Sequence, residues 1–292
     1  MRILVIGRSG QVARALVERA GAHDVVALGR GDVDLADPAT LPPALERVAP
    51  DAVINAAAYT AVDQAEVEEG NARALNADGP AALARLCAKE GVPLVHLSTD
   101  YVFDGTMDRP YREDDPVAPR SAYGRTKADG EVAVREAGGR SLVARTAWVY
   151  SPFGRNFVKT MLRVGAEREV LTVVDDQRGN PTSALDLAEA LIGLCEHADT
   201  WPVGGEVVHV AGAGETTWHG FAEAIFVLSP HRPHVRPVPT REYPTPAVRP
   251  ANSRLDCSKL TTRYGLTLPT WQASLPSVVE RLLRSEASSP RM

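Results

Sequence analysis

Lysine is scarce in this chain: only Lys89, Lys127, Lys159 and Lys259 occur among 292 residues. The formal net charge is -5 and no block of Lys or Arg is present, which argues against a nucleic-acid partner, since that surface needs concentrated positive charge. Cysteine is sparse too. Cys87, Cys195 and Cys257 are odd in number, far apart and without metal-ligand spacing, so reduced thiols and a cytoplasmic location are expected. Long apolar runs are missing. The run Ile3–Ile6 is too short for a membrane span and lacks the basic region and cleavage site of a signal peptide, so an unprocessed chain with no membrane partner is expected. What remains is an ordinary globular composition, 44% hydrophobic and 24% charged, long enough for one large α/β domain or two modest ones.

The first half alternates short β-branched runs with helical patterns. Arg2–Ile6, Val25–Leu28, Ala52–Asn55, Leu94–Ser98 and Ser141–Arg145 read as strands, with helices over Gln11–Ala20, Leu41–Val48 and Ala72–Glu90. Continuous apolar strands separated by helices indicate a doubly wound parallel sheet, Rossmann-like and covered on both faces. The second half is richer in proline. Pro230–Pro250 holds seven prolines and cannot be central sheet, which suggests a smaller substrate-covering subdomain. The expected division is a nucleotide-binding domain over 1–150, with 171–212 returning to it, a substrate-binding subdomain over 151–170 and 213–285, and a tail over 286–292.

Gly7-Arg8-Ser9-Gly10-Gln11-Val12-Ala13 follows the first strand and opens the first helix. Glycines there permit a tight turn and close approach of the backbone to a pyrophosphate. The helix N-terminus adds unpaired N–H groups and partial positive charge. At the end of the second strand, where an acid would bind a ribose 2′-OH, stands Gly29-Arg30. A guanidinium matches a phosphate, so Arg30, with Arg8, favours NADPH, and NADH stays possible.

Tyr123 and Lys127 stand at i and i+4, on one face if the segment is helical. With seven tyrosines and four lysines, about 0.1 such pairs are expected by chance. Reducing a ketone requires an acid for the developing alkoxide, and a phenol at its ordinary pKa is a poor one at neutral pH. A neighbouring ammonium can stabilise the phenolate; a downward shift of two to three units corresponds to about 3–4 kcal/mol. Upstream, Thr99 ends a buried strand, where it could orient a substrate carbonyl toward Tyr123. Asn55-Ala56-Ala57-Ala58 ends an earlier strand, and its small residues would let a cofactor pass close.

Together these segments resemble the dTDP-4-dehydrorhamnose reductases, enzymes of the extended short-chain dehydrogenase/reductase type. The resemblance covers nearly the whole chain and includes Tyr59-Thr60, Asp63, Ser98–Phe103, Arg145–Tyr150, Asp176-Gln177, Pro181-Thr182, Pro244–Pro250 and Asn252–Leu255. It implies a catalytic Thr99/Tyr123/Lys127 triad. It implies cofactor contacts at Gly10, Gln11, Val12, Asp34, Leu35, Ala57, Ala58 and Thr60, beside Gly7, Arg30, Tyr123 and Lys127, whose ammonium can also hydrogen-bond the nicotinamide ribose. Nucleotide-sugar contacts would come from Thr99, Asp100, Trp148, Arg249 and Asn252. An indole offers a sugar an apolar face, and a carboxylate accepts from its hydroxyls.

The activity implied is NAD(P)H-dependent reduction of the C4 ketone of dTDP-4-dehydro-L-rhamnose. A 4-ketoreductase of another nucleotide deoxysugar is the near alternative. A sugar-nucleotide dehydratase would place Asp-Glu after the threonine, and here Tyr101 follows Asp100. Regulatory subunits of methionine adenosyltransferase also resemble this family, but retention of all three triad residues favours an enzyme. Some relatives are dimers bridged by Mg²⁺ through glutamates, one of them early in the first helix. Val12 to Val17 contains no carboxylate, and His231 and His234 lack a nearby third ligand, so no metal site is expected and the chain is a monomer or homodimer.

Overall fold

In the computed structural model, which describes residues 1–287, the apolar run Arg2–Ile6 becomes strand β1, and the glycine-rich turn opens helix α1 (Gln11–Glu18). Strand β2 (Asp24–Leu28), helix α2 (Leu41–Val48) and strand β3 (Ala52–Asn55) continue the alternation. Short helices α3 (Val62–Ala65) and α4 (Glu69–Arg73) lead through a π-helical segment, Ala74–Asp78, into α5 (Gly79–Glu90). The stretch expected as one helix from Ala72 is thus continuous but locally widened, a distortion that concentrates near functional sites. Strand β4 (Leu94–Thr99), helix α6 (Ala122–Glu136) and strand β5 (Ser141–Thr146) complete the first half.

Shorter elements follow: β6 (Val149–Tyr150), α7 (Phe157–Glu167), β7 (Val170–Val174), β8 (Arg178–Gly179) and β9 (Thr182–Ser183). Helix α8 (Ala184–Glu196) then carries the chain back to strand β10 (Glu206–His209). After β11 (Thr216–Thr217) and α9 (Trp218–Leu228) come β12 (His234–Val238), α10 (Ser258–Tyr264) and α11 (Trp271–Ala287).

The central sheet has six strands in the order β10-β5-β4-β3-β1-β2, all paired in parallel. Its inner strands are buried on both sides: every residue of β3 and β5 is buried. One face packs under α1 and α8 and the other under α2 and α5, giving two large apolar clusters. The chain leaves β1 toward β2 on one side while β3 lies on the other. At that reversal the loops leaving the carboxyl ends diverge and open a crevice, which fixes where a ligand can sit.

A third apolar cluster joins α7, β7, α9 and α11 into a smaller lobe beside the carboxyl ends. Two boundaries differ from expectation. Val170–Val174 pairs with β12 in this lobe and not with the central sheet, whereas Leu260, Tyr264 and Leu268 pack into the main core. The proline-rich segment is not wholly irregular, since it contributes β12; Pro237 is accommodated because β12 pairs only with β7. Helix α11 runs two residues into the stretch 286–292 expected as a tail, and the rest of that stretch lies outside the described residues. Among the described residues no helix is long and apolar enough to cross a membrane.

Candidate active site

A cleft of about 640 Å³ opens at the carboxyl ends of the strands, where the sheet order reverses. At one end lies the glycine-rich turn. Gly7 has a φ of 114°, and a Cβ there would stand 3.3 Å from the Ala57 backbone nitrogen. An L-residue would be strained and would fill the cradle between turn and strand β3. Gly10 caps α1 without any side chain, leaving the first N–H groups of that helix open to the cleft. This chain's residues therefore suit a dinucleotide pyrophosphate.

Val12, Asp34, Leu35, Ala57, Ala58 and Thr60 line the same end. Asp34 is partly committed to its own turn, accepting from the Ala36 N–H at 2.9 Å. The Gln11 side chain is engaged elsewhere. Its Oε1 accepts from Ser151 (2.8 Å) and Asn156 (3.0 Å), so it ties the first turn of α1 to the smaller lobe. Arg30 lines the cleft beside Arg8, whose guanidinium lies over Gly29 and pairs with Asp32 at 3.2 Å.

At the other end, Ser121 caps α6 by accepting from the Gly124 N–H at 3.1 Å, which sets Tyr123 in the first helical turn. A Cβ on Gly124 would lie 2.2 Å from the Tyr101 carbonyl, so glycine is what lets α6 approach the chain leaving β4. Tyr101 meets the Tyr123 ring edge-on, with centroids 5.5 Å apart. Thr99, at the end of β4, donates to Asp100 Oδ1 at 2.9 Å and accepts from the Tyr101 N–H at 3.2 Å. Thr99, Tyr123 and Lys127 all line the cleft.

The electrostatics depart from the sequence-based expectation in one respect. Burial pushes the Tyr123 phenol up, opposed by a hydrogen bond from Thr99, and Lys127 is not among the groups that shift it. The ammonium is turned toward β4, donating to the Leu97 carbonyl at 2.6 Å with His96 Nε2 3.3 Å away. Burial draws Lys127 down to about 8, against the favourable charge of Glu131. With protein groups alone the phenol is thus a firmly protonated acid, not one softened by lysine.

Asp100 is buried, and its Oδ2 has no hydrogen-bond partner. Burial pushes its pKa up to about 6, against hydrogen bonds that it accepts from hydroxyl and backbone neighbours. Asp100 lines the cleft, where its carboxylate suits a ligand hydroxyl once a small shift uncovers Oδ2. Trp148 lines the same region in a left-handed backbone conformation, φ 47°, rare for a bulky residue. Its indole stacks on Trp218 with centroids 3.5 Å apart, and Gly179 leaves the room: a Cβ there would lie 2.3 Å from the indole.

Two expected sugar contacts lie elsewhere. Asn252 does not line the cleft. Its Nδ2 donates to the carbonyls of Met107 (2.8 Å) and Arg109 (2.7 Å), and its Oδ1 accepts from Arg254, so its amide is used within the fold. Arg249 stands behind the rim, paired with Asp63 at 2.7 Å and donating to the Tyr101 hydroxyl at 3.2 Å. The sequence reading missed His96, Tyr101, Trp218 and the exposed Arg155 at the cleft mouth. Nothing in their local pattern distinguishes them from core or solvated residues. Among the described residues no group of three or more His, Cys, Asp or Glu could hold a metal ion.

Residues 1–284 match the family model described as the RmlD substrate binding domain. A dTDP-4-dehydrorhamnose reductase of Sinorhizobium fredii is 44% identical over 291 residues, covering 97% of this chain and 98% of the relative. A Streptomyces antibioticus protein described as a probable dTDP-4,6-dihydroxy-2-methyloxan-3-one 4-ketoreductase is 42% identical over 290 residues, covering 98% and 97%. The crystal structure of a Bacillus anthracis dTDP-4-dehydrorhamnose reductase in complex with NADP superimposes with a TM-score of 0.89 at 33% identity, covering 97% of this chain and 99% of that one. By its length-wide match and by the fold that carries its cleft, the chain belongs to the dTDP-4-dehydrorhamnose reductase family.

Proposed function

We propose that this protein reduces the C4 ketone of dTDP-4-dehydro-L-rhamnose to the alcohol, with NADPH as reductant and Tyr123 as proton donor. The observation that carries the reading is the convergence of Thr99, Tyr123 and Lys127 on the cleft that begins at the Gly7 cradle. When bound, the dinucleotide supplies the hydride. Gly7, Gly10 and the first N–H groups of α1 would hold its pyrophosphate, with Ala57, Ala58 and Thr60 beside it. Arg30, with Arg8, would meet the 2′-phosphate, which favours NADPH over NADH.

Thr99 orients the ketone oxygen, and the buried phenol of Tyr123 stays protonated until an alkoxide develops. The alkoxide takes the Tyr123 proton as it develops, and Lys127 nearby then balances the phenolate charge. Asp100 accepts from a sugar hydroxyl through its free Oδ2, and the Trp148 indole covers an apolar face of the ring. Arg249 acts through Tyr101 as a support of the rim. We place the protein in the cytoplasm, as a monomer or homodimer.

The relationship to the Streptomyces antibioticus 4-ketoreductase supports a second reading, in which the same machinery acts on another nucleotide deoxysugar. The test is a coupled assay with enzymatically generated dTDP-4-dehydrorhamnose, following loss of nicotinamide absorbance with each cofactor and identifying the product sugar. No turnover by pure protein that binds NADPH would point to a binding role instead; turnover only of another 4-keto sugar would select the second reading.

A further inference from the structure

Three polar side chains stand in a row between the central sheet and α6, almost wholly shielded from solvent. Asn55 ends β3, His96 lies within β4 and Lys127 projects from α6, exposed by only 1%, 0% and 2%. Asn55 Nδ2 lies 3.0 Å from His96 Nδ1, and His96 Nε2 lies 3.3 Å from Lys127 Nζ. At the near end, Asn55 Oδ1 accepts from the Ala57 N–H at 3.2 Å.

Donors and acceptors in this row must match. Burial first, and the lysine charge second, hold the His96 pKa well below its ordinary value, so the ring is neutral, with one donor and one acceptor. With Asn55 Oδ1 occupied by Ala57, its Nδ2 donates to Nδ1, and the ring proton sits on Nε2, facing Lys127. An ammonium there would set donor against donor; an uncharged amine accepts. A charged Lys127 requires the other tautomer, with Nδ1–H donating to a turned Asn55 amide. That turn costs the Ala57 N–H its acceptor. Ala57 lines the cleft against the Gly7 turn, where a ligand oxygen can take over that N–H.

Other groups around Lys127 do not decide its charge. Glu131, on its own helix, favours the ammonium, but is itself paired at 2.6 Å with buried Arg145 of β5 and accepts from Ser98 at 2.5 Å. Tyr123 from α6 and Asp100 beyond β4 face the same cleft, and burial and Glu131 outweigh both at Lys127. Thr126 and Asn76, on the side toward α5, bring no charge.

We propose that His96 is a positioning residue whose tautomer, set against Asn55, selects between charged and neutral Lys127 and couples that choice to ligand occupancy at the Ala57 N–H. This rests on Lys127 acting beside Tyr123. The free protein then holds Lys127 largely neutral at mildly alkaline pH, and dinucleotide binding recharges it as the cleft fills.

The tautomer is directly readable by ¹⁵N NMR of the full chain labelled at histidine, because the two ring nitrogens shift apart in opposite senses for each form. Seven histidines are present, and His96 is assigned by its loss in His96→Gln. Between about pH 6 and about pH 10 the free protein is expected to pass from Nδ1–H to Nε2–H without an imidazolium, following the lysine titration. Adding NADP⁺ at the midpoint should move the signal back toward Nδ1–H, and Lys127→Met should abolish the pH response. One tautomer throughout, or a response surviving in Lys127→Met, overturns the proposal whether or not the enzyme reduces any sugar.

A second arm uses turnover. His96→Phe should move the alkaline limb of the kcat–pH profile to lower pH and lower kcat about tenfold, from the loss of a hydrogen bond to a charged group. His96→Gln, which keeps a group toward Lys127, should restore most of both; a His96→Phe profile superimposable on the parent counts against coupling.

Discussion

Replacing Asp100 by Asn separates the stability of this protein from its function. The Asp100 carboxyl moves from an ordinary 3.8 to about 6 in the folded chain, chiefly through burial. That is about two pKa units, or about 3 kcal/mol between the two protonation states. The sign follows from proton binding. Between the two pKa values the folded state holds a proton that the unfolded state has lost, so unfolding releases it and stability falls as pH rises. The contribution is fully present below about pH 4 and gone above about pH 6. Asn cannot ionise, so this part of the pH dependence disappears in the variant. The buried amide brings its own cost of about 1–3 kcal/mol, but that cost does not vary with pH. Urea unfolding of both proteins at about pH 4.5 and about pH 8 should show the difference in stability moving in favour of Asp100→Asn by about 3 kcal/mol at most. Over the same series kcat/KM should fall, because the amide no longer accepts as a carboxylate does. Parallel stability curves at all pH values would refute the burial of an ionised Asp100 at neutral pH.

Tyr123→Phe should lower kcat by about 10²–10⁴-fold with NADPH dissociation unchanged by fluorescence titration; unchanged turnover would remove Tyr123 as the acid. Arg30→Asp should weaken NADPH more than NADH, and an equal effect on both dissociation constants would dismiss the phosphate contact. Gly179→Ala drives a methyl to within 2.3 Å of the Trp148 indole, so KM for the sugar nucleotide should rise and stability drop by about 1–3 kcal/mol. A KM equal to the parent's would separate Trp148 from the sugar. Prolonged chelation should leave turnover intact, while a loss restored by Mg²⁺ would reveal a metal requirement.

The legible features of the sequence are those whose partners are close along the chain. The Gly7–Val12 turn, the alternation of strands and helices, and Tyr123 with Lys127 one helical turn apart all follow from local spacing, and they locate the cleft end of the sheet. Arg249 and Asn252 fail that condition. The partners of the Arg249 guanidinium and of the Asn252 amide nitrogen lie more than a hundred residues upstream, so one braces the rim and the other is taken up by backbone carbonyls, with nothing local to tell either from a ligand contact. His96 is hidden for the opposite reason, standing in an apolar strand as an ordinary core residue until α6 brings Lys127 against it. The return of Leu260, Tyr264 and Leu268 to the main core is equally a matter of tertiary packing, since α10 is too short to announce which face it serves.

Gln11 gives the cleft a mechanical property beyond its shape. One amide begins the helix that faces the glycine-rich end of the cleft and also grips Ser151, Asn156 and the Val149 carbonyl at the root of the smaller lobe. Any displacement of Ser151 and Asn156 would therefore strain hydrogen bonds that end on the first turn of α1, with no loop between.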